Sequence, residues 1–111
     1  MTLNMTSGIY LKLFVPEQLR LHGDLLYEWI LKQAEEIGIS GGSAVRAMAS
    51  FGRHGRLHEQ HFYELAGELP IVLEFFASEV TISQLLALLE DEGQSLFYVK
   101  FNAEAGQTKT N

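Results

Sequence analysis

The stretch that decides the fold covers residues 8–15 and reads GIYLKLFV. Aliphatic residues alternate in it with Tyr10, Lys12 and Phe14, and this period of two is typical of a β-strand. One face of the strand is therefore aliphatic and the other is mostly aromatic. Pro16 follows immediately and cannot donate a hydrogen bond to a strand ladder, so the strand is predicted to end there.

Two segments with the helical spacing of apolar residues lie further along the chain. The first is predicted to begin after an N-cap at Asp24, to run to about Ile37 and to stop at Gly38. The second is predicted to begin at Ser78 and to be terminated by Gly93. Each helix is followed by a further extended segment, so strands and helices alternate in both halves of the chain.

Three further extended segments complete the pattern. Residues 43–51 are rich in alanine and serine, residues 69–76 are strongly apolar, and residues 95–101 alternate. Residues 52–68 are polar, and loops of this length in small domains are usually functional or mobile. The order strand, helix, strand, strand, helix, strand predicts an α+β, ferredoxin-like βαββαβ sandwich. In that fold a four-stranded antiparallel sheet carries two helices on one face.

Length and composition indicate a single domain over residues 1–111, with a core at about 8–101 and a polar, frayed tail at 102–111. The absence of cysteine excludes thiol chemistry and disulfides. The net charge of −6 argues against nucleic-acid binding, because affinity for phosphate backbones requires an excess of lysine and arginine. The sequence shows neither a signal-peptide pattern nor an apolar run of about 18 residues. We therefore expect a cytoplasmic protein that is not membrane-embedded.

The sheet face that the helices leave uncovered should be polar if it meets water. Instead, apolar residues remain on that face whichever side of each strand is assigned to the helices: Tyr10 and Phe14, Val72 and Phe76, or Leu96 and Tyr98. Large apolar surfaces usually mark interfaces. We predict a homo-oligomer that packs sheet to sheet, and the alternative is a monomer with a partly apolar surface.

The positive charge of this acidic chain is concentrated in one window. No acidic residue lies between Glu36 and Glu59, and the window is rich in glycine and arginine. Glycine lets backbone N–H groups approach an anion, and arginine binds phosphate through two hydrogen bonds. The window is a candidate site for an anionic small molecule, with a solvated loop of no specific function as the alternative.

Three histidines in the same window, His54, His58 and His61, have a spacing that would place them on one face of a helix. Such a face could hold a divalent metal ion. Gly55 argues against a helix at this point, so surface histidines are the alternative. No catalytic triad is recognisable from spacing, and we expect the chain not to be an enzyme. Besides the anion site and the metal site, a third hypothesis is a small hydrolase or isomerase whose active site includes residues of a neighbouring subunit.

A set of short motifs resembles, in order and spacing, the family called domain of unknown function 190. They are His22-Gly23, Leu26-Tyr27-Glu28, GGSAVRA at 41–47, Phe51-Gly52 with Arg56-Leu57-His58, and ELPIVLE at 68–74. The resemblance covers about residues 8–92. Because that family resembles the PII signalling proteins, the resemblance implies a PII-like fold. It also implies a homotrimer that binds adenine nucleotides in the clefts between subunits.

The resemblance also implies roles for individual segments. Residues 52–68 would form the effector loop, which would control a partner such as a transporter or channel. The anion would be a nucleotide phosphate, and AMP or ADP is expected rather than ATP, because the segment after Gly93 lacks a pair of basic residues. No cofactor is required. The window and the resemblance together predict these ligand-binding residues: Gly41, Gly42, Ser43, Arg46, Phe51, Gly52, Arg53, Arg56 and His58. The alternative is a metal-binding trimer like the CutA branch of the fold, which would use His54, His58 and His61.

Overall fold

A computed structural model describes residues 5–47 and 69–109. The elements in chain order are strand β1 (Met5–Pro16), the short strands β2 (Arg20–Leu21) and β3 (Asp24–Leu25), helix α1 (Leu26–Glu36), strands β4 (Gly42–Arg46) and β5 (Pro70–Ala77), helix α2 (Glu79–Asp91) and strand β6 (Phe97–Gly106). Four strands form one antiparallel sheet in the order β4-β5-β1-β6. This order, with both helices packed on one face, confirms the predicted α+β, ferredoxin-like sandwich.

The core lies between the two helices and one face of the sheet. The aliphatic residues of β1 at positions 9, 11, 13 and 15 are all buried, as the alternating pattern predicted. They form one cluster with alternate residues of β5 and with the inner faces of both helices. Each fully buried aliphatic side chain contributes about 1.5–3 kcal/mol relative to exposure. Burial of this face therefore orients both helices on the sheet.

The ends of α2 agree with the sequence prediction. The Ser78 side chain accepts a hydrogen bond from the backbone N–H of Thr81 at 3.2 Å, which caps the first turn. Gly93, with a φ of +71°, lies just beyond the C-cap and takes the left-handed conformation that ends many helices. A short helix of this kind depends on such ends, because its first N–H and last C=O groups lack partners within the helix.

The predicted N-cap of α1 is wrong. The helix begins at Leu26 and its N-cap is Leu25, whereas Asp24 lies in β3 and accepts a hydrogen bond from Lys32 Nζ at 3.2 Å. The reason is a small hairpin of β2 and β3, which the periodicity did not reveal. His22 and Gly23 both have positive φ and form its two-residue turn.

The hairpin is attached to the far end of α2. His22 Nε2 lies 2.8 Å from Glu92 Oε1, at the C-cap of that helix. The ring of His22 also lies 6.1 Å from that of Trp29, which is buried in α1. The His-Gly motif therefore has a structural explanation, since it supplies both the turn and the contact that holds the hairpin.

The prediction of a frayed tail from residue 102 is wrong for the first half of that segment, residues 102–106. Strand β6 continues to Gly106 and pairs with the first residues of β1, from Asn102 opposite Ile9 to Gly106 opposite Met5. A polar sequence can extend a sheet because the ladder uses backbone groups. At the other edge β4 ends at Arg46, and residues 48–68 of the predicted strand and loop lie outside the described part of the chain.

Candidate functional site

Four of the predicted ligand-binding residues lie together at one edge of the sheet. Gly41 precedes the edge strand β4, and Gly42, Ser43 and Arg46 belong to it. The strand is solvent-exposed along its length and pairs with β5. The other predicted site residues lie outside the described part of the chain: Phe51, Gly52, Arg53, Arg56 and His58. Their place in a ligand site stays a prediction.

Arg46 ends the edge strand, and its guanidinium is mostly exposed. It forms an ion pair with Glu17, which follows directly after β1. The hydrogen bond from Arg46 lowers the pKa of the Glu17 carboxyl below its ordinary value, and the same contact raises the pKa of Arg46. A guanidinium has about five N–H donors, so contact with Glu17 leaves it able to bind a second anion.

Sequence reasoning did not identify Glu17 as a partner of Arg46. The two residues are far apart in the chain and meet because β1 and β4 flank the same end of β5. In the ladder Pro16 lies opposite Pro70, and Arg46 lies opposite Ile71. The strand order would have been needed to find this pair, since neither residue stands out in its local pattern.

The two glycines at the start of the edge strand differ in their surroundings. A Cβ built on Gly42 would lie 2.5 Å from the Phe75 ring, so this glycine makes room for a buried aromatic side chain. A Cβ on Gly41 would meet no atom of the described residues within 4 Å. Gly42 thus has a packing explanation, and Gly41 is the one with open space for a ligand to approach the backbone.

A cleft of about 540 Å³ lies next to the start of the edge strand. It occupies the fork where the β1–β6 ribbon extends beyond the end of β5. Hydroxyl groups line much of it, including those of Ser40, Ser78 and Thr81, and among the described residues no charged side chain does. Its volume lies within the usual range for small-molecule sites. Such a lining suits a neutral group that forms hydrogen bonds better than it suits a phosphate, which requires positive charge.

The described residues give no support to a metal centre or a membrane span. In the ranges 5–47 and 69–109, no three histidine, cysteine or acidic side chains are grouped to hold a metal ion. The histidine cluster His54, His58 and His61 lies outside those ranges, so the metal-binding alternative is untested there. No helix in the described ranges is long and apolar enough to cross a bilayer.

Sequence comparison relates the chain to one family. The model of the DUF190 family, described as an uncharacterized ACR, matches residues 8–99. A UPF0166 protein of Aquifex aeolicus (strain VF5) is 27% identical over 86 residues, which are 78% of this chain and 82% of that protein. A UPF0166 protein of Methanocaldococcus jannaschii is 29% identical over 85 residues, which are 77% of this chain and 78% of that protein.

Several solved structures of PII-like proteins have a similar fold. CPII from Thiomonas intermedia K12, bound to ADP and bicarbonate, has a TM-score of 0.64 at 16% identity, covering 96% of this chain and 95% of CPII. The same protein bound to ADP, AMP and bicarbonate has a TM-score of 0.64 at 15% identity, with 95% and 99% covered. A putative PII-like signaling protein from Thermus thermophilus has a TM-score of 0.63 at 13% identity, with 93% and 92% covered. Because the sequence identities are this low, the structural similarity is evidence for a shared fold alone.

Proposed function

The chain belongs to the DUF190 family and has the PII-like fold, and on that premise we propose that it is a PII-like regulatory protein and not an enzyme. It binds an adenine nucleotide, AMP or ADP, in clefts between the subunits of a homotrimer in the cytoplasm. Residues 52–68 then act as an effector loop on a partner protein, a transporter or channel. The structures of CPII with ADP and AMP support the choice of ligand class.

The observation that carries the nucleotide proposal is the position of Arg46. It places an exposed guanidinium at the end of the edge strand, where β4 leads into the segment that holds the other predicted ligand residues. Arginine and phosphate match in geometry, and each bidentate pair adds specificity as well as affinity. Although the chain is acidic overall, the Arg46 guanidinium at this position is suited to binding one phosphate group.

Two features favour AMP or ADP over ATP. Glu17 places a negative charge beside Arg46, and its repulsion of a ligand grows with the number of phosphate charges. The turn between α2 and β6, residues 93–96, reads GQSL and has no basic residue for a distal phosphate.

Calorimetric titration of the chain with AMP, ADP and ATP tests the proposal. We expect AMP and ADP to bind more tightly than ATP, and Arg46→Ala to weaken binding about tenfold or more. Arg20→Ala is the matched control, because it removes the same charge from an exposed arginine that donates to Gly23 in the hairpin. The control is expected to bind as the wild type does.

Two results would contradict the nucleotide proposal in different ways. If none of the three nucleotides binds to the wild type, the ligand class is wrong and the fold alone stands. If Arg46→Ala and Arg20→Ala bind equally well, the ligand lies elsewhere on the chain. Circular dichroism of both variants excludes unfolding as the cause of lost binding.

Self-association is supported by the sheet face opposite the helices, which we call the open face, and the number of three copies follows from the resemblance to the PII proteins. Val45, Val99 and Phe101 on this face are 51%, 40% and 49% exposed in the single chain. Exposed apolar side chains gathered on one sheet face usually mark an interaction site. Light scattering at micromolar concentration should give three times the 12.5 kDa of one chain. A mass of one chain would overturn the oligomer.

A further inference from the structure

The open face is striped, because the strand register aligns its side chains in rows across the sheet. One outer row contains only apolar residues, and the other contains aromatic ones. A polar row with one aliphatic member runs between them. The rows are Val45, Val72, Phe14 and Phe97; then Ser43, Glu74, Lys12 and Val99; then Phe76, Tyr10 and Phe101.

The outer rows are already packed within the chain. The rings of Tyr10 and Phe101 are stacked with their centroids 5.2 Å apart, and those of Phe14 and Phe97 are tilted at 5.6 Å. Aromatic pairs of this geometry stabilise a sheet across neighbouring strands. The rings therefore present a preformed apolar surface on each side of the central row.

The central row contains an ion pair. Lys12 Nζ lies 3.7 Å from Glu74 Oε2, and these side chains are 40% and 27% exposed. A hydrogen bond to Glu74 is the main cause of a raised pKa at the Tyr10 hydroxyl, so the carboxylate also contacts the neighbouring row. The row carries one positive and one negative charge, and is therefore neutral overall.

A second copy of the chain is the occupant that fits this pattern. An apolar ligand or a lipid surface would desolvate Lys12 and Glu74 without offering them new partners, which costs free energy. The same face of another copy presents apolar rows to apolar rows and an opposite charge to each charge. The net charge of −6 also argues against an anionic lipid surface.

We propose that the Lys12–Glu74 row fixes the register of the sheet-to-sheet contact between copies of this chain. A shift of one copy by a row would place the Lys12–Glu74 pair against an apolar row and desolvate both charges without partners from the other copy. Buried polar groups set register and oligomeric state in other assemblies in this way, with little gain in affinity. This inference rests on the proposed homotrimer and adds to it the residues that select one arrangement.

Charge reversal tests whether Lys12 and Glu74 meet across copies. Lys12→Glu and Glu74→Lys each make the central row carry like charges, so each variant alone is expected to dissociate about tenfold or more readily than the wild type. In a mixed trimer two of the three contacts then pair opposite charges. Mixing the two variants should therefore restore part of the assembly as hetero-oligomers, detected by native mass spectrometry. Each variant serves as the folding control of the other, because only folded chains can be rescued by mixing.

Lys32→Glu is the matched control for the change in charge. It reverses a lysine that also forms an ion pair within the chain, with Asp24 at 3.2 Å, but on helix α1 away from the open face. We expect this variant to assemble as the wild type does. If Lys12→Glu and Lys32→Glu have the same effect, the central row has no special role and the inference is overturned.

Removing the charges tests register separately from affinity. The double variant Lys12→Met with Glu74→Met should still associate, but as a mixture of oligomers, because no row then distinguishes one arrangement from another. A single mass equal to that of the wild type would overturn the role in register. A wild type that is monomeric would overturn the homotrimer itself, and the nucleotide titrations test the rest of the proposed function independently.

Discussion

The face of the sheet beneath the helices and the open face differ in chemistry as well as in exposure. In β1 the residues that point to the helices are aliphatic and at most 7% exposed. The residues between them on the same strand are Tyr10, Lys12 and Phe14, which are only partly buried. The helices of the same chain thus cover one face of the sheet. The open face, with its apolar and charged side chains, stays in contact with water in the single chain.

This difference separates what determines the fold from what determines assembly. Branched aliphatic side chains fill the space between helices and sheet, where packing must be close and no charge has to be satisfied. Aromatic side chains and an ion pair suit a surface that is exposed before association and covered after it. Substitutions on the covered face should therefore change the stability of one chain, and those on the open face the dependence of stability on concentration.

The largest expected effect compares two valines, one on each face. Val15 is fully buried beneath the helices, and Val99 is 40% exposed on the open face. Val15→Ala removes two buried carbon atoms and leaves a cavity, so we expect it to lower the free energy of unfolding by about 2–3 kcal/mol. Urea denaturation monitored by circular dichroism measures this loss.

Val99→Ala is the matched change for the open face. At concentrations where the chain is dissociated, it should alter the free energy of unfolding by less than about 0.5 kcal/mol, as is usual for exposed positions. In the assembled state it should weaken association, because Val99 is the aliphatic member of the central row. Equal losses for the two valines in the dissociated chain would contradict the division between the faces.

A smaller effect is expected from the two glycines at the edge strand. Gly42→Ala would place a methyl group 2.5 Å from the Phe75 ring beneath the helices, so we expect a loss of about 1 kcal/mol or more through overpacking. Gly41→Ala meets no described atom within 4 Å and should leave thermal unfolding unchanged. If Gly42→Ala is tolerated equally well, Phe75 can move aside and the covered face is less tightly packed than the structure indicates.

The same pair separates packing from ligand binding. If backbone approach at Gly41 serves the nucleotide, Gly41→Ala should weaken nucleotide binding in calorimetry while stability is unchanged. For Gly42→Ala the reverse is expected, with lower stability and binding retained at temperatures where the chain is folded. Weaker binding from both variants in proportion to lost stability would indicate that neither glycine contacts the ligand.

The fold was predictable because both periods of the pattern are strong and consistent. The period of two in β1 and β5 and the helical spacing in α2 each specify which side chains are buried, and two strand–helix–strand halves then leave few arrangements. The additional hairpin was not predictable in this way. Its strands have two residues each, too few for any periodicity, and the hairpin is recognised from their pairing and from the positive φ of His22 and Gly23.

The site was less predictable than the fold, for a physical reason. Composition identified a window rich in arginine and glycine, but the surroundings of each member depend on strands that are distant in sequence. Arg46 meets Glu17 through the order of the sheet, and Gly42 is required by Phe75 on the neighbouring strand. Residue types alone could not distinguish a glycine that accommodates an aromatic ring from one that admits a ligand.

The smallest expected effect concerns the ion pair of Glu17 and Arg46, at the rim of the covered side of the sheet. Arg46 lowers the pKa of Glu17 below its ordinary value of 4.5. The charged pair therefore contributes stability above about pH 4.5, and this contribution is lost as the pH falls through the lowered pKa of the folded state. Glu17→Gln, which cannot ionise, should be less stable than the wild type at neutral pH.

The difference between wild type and Glu17→Gln should shrink as the pH falls from about 6 towards 3, when measured as the urea midpoint. Since the Arg46 side of the pair is exposed to solvent, about 1 M salt should reduce the difference at neutral pH as well. The same variant should bind ATP better, relative to AMP, than the wild type does, because the repelling carboxylate is gone. A difference in stability that does not change with pH would mean that Glu17 acts through packing, and unchanged nucleotide preference would place the phosphates away from Arg46.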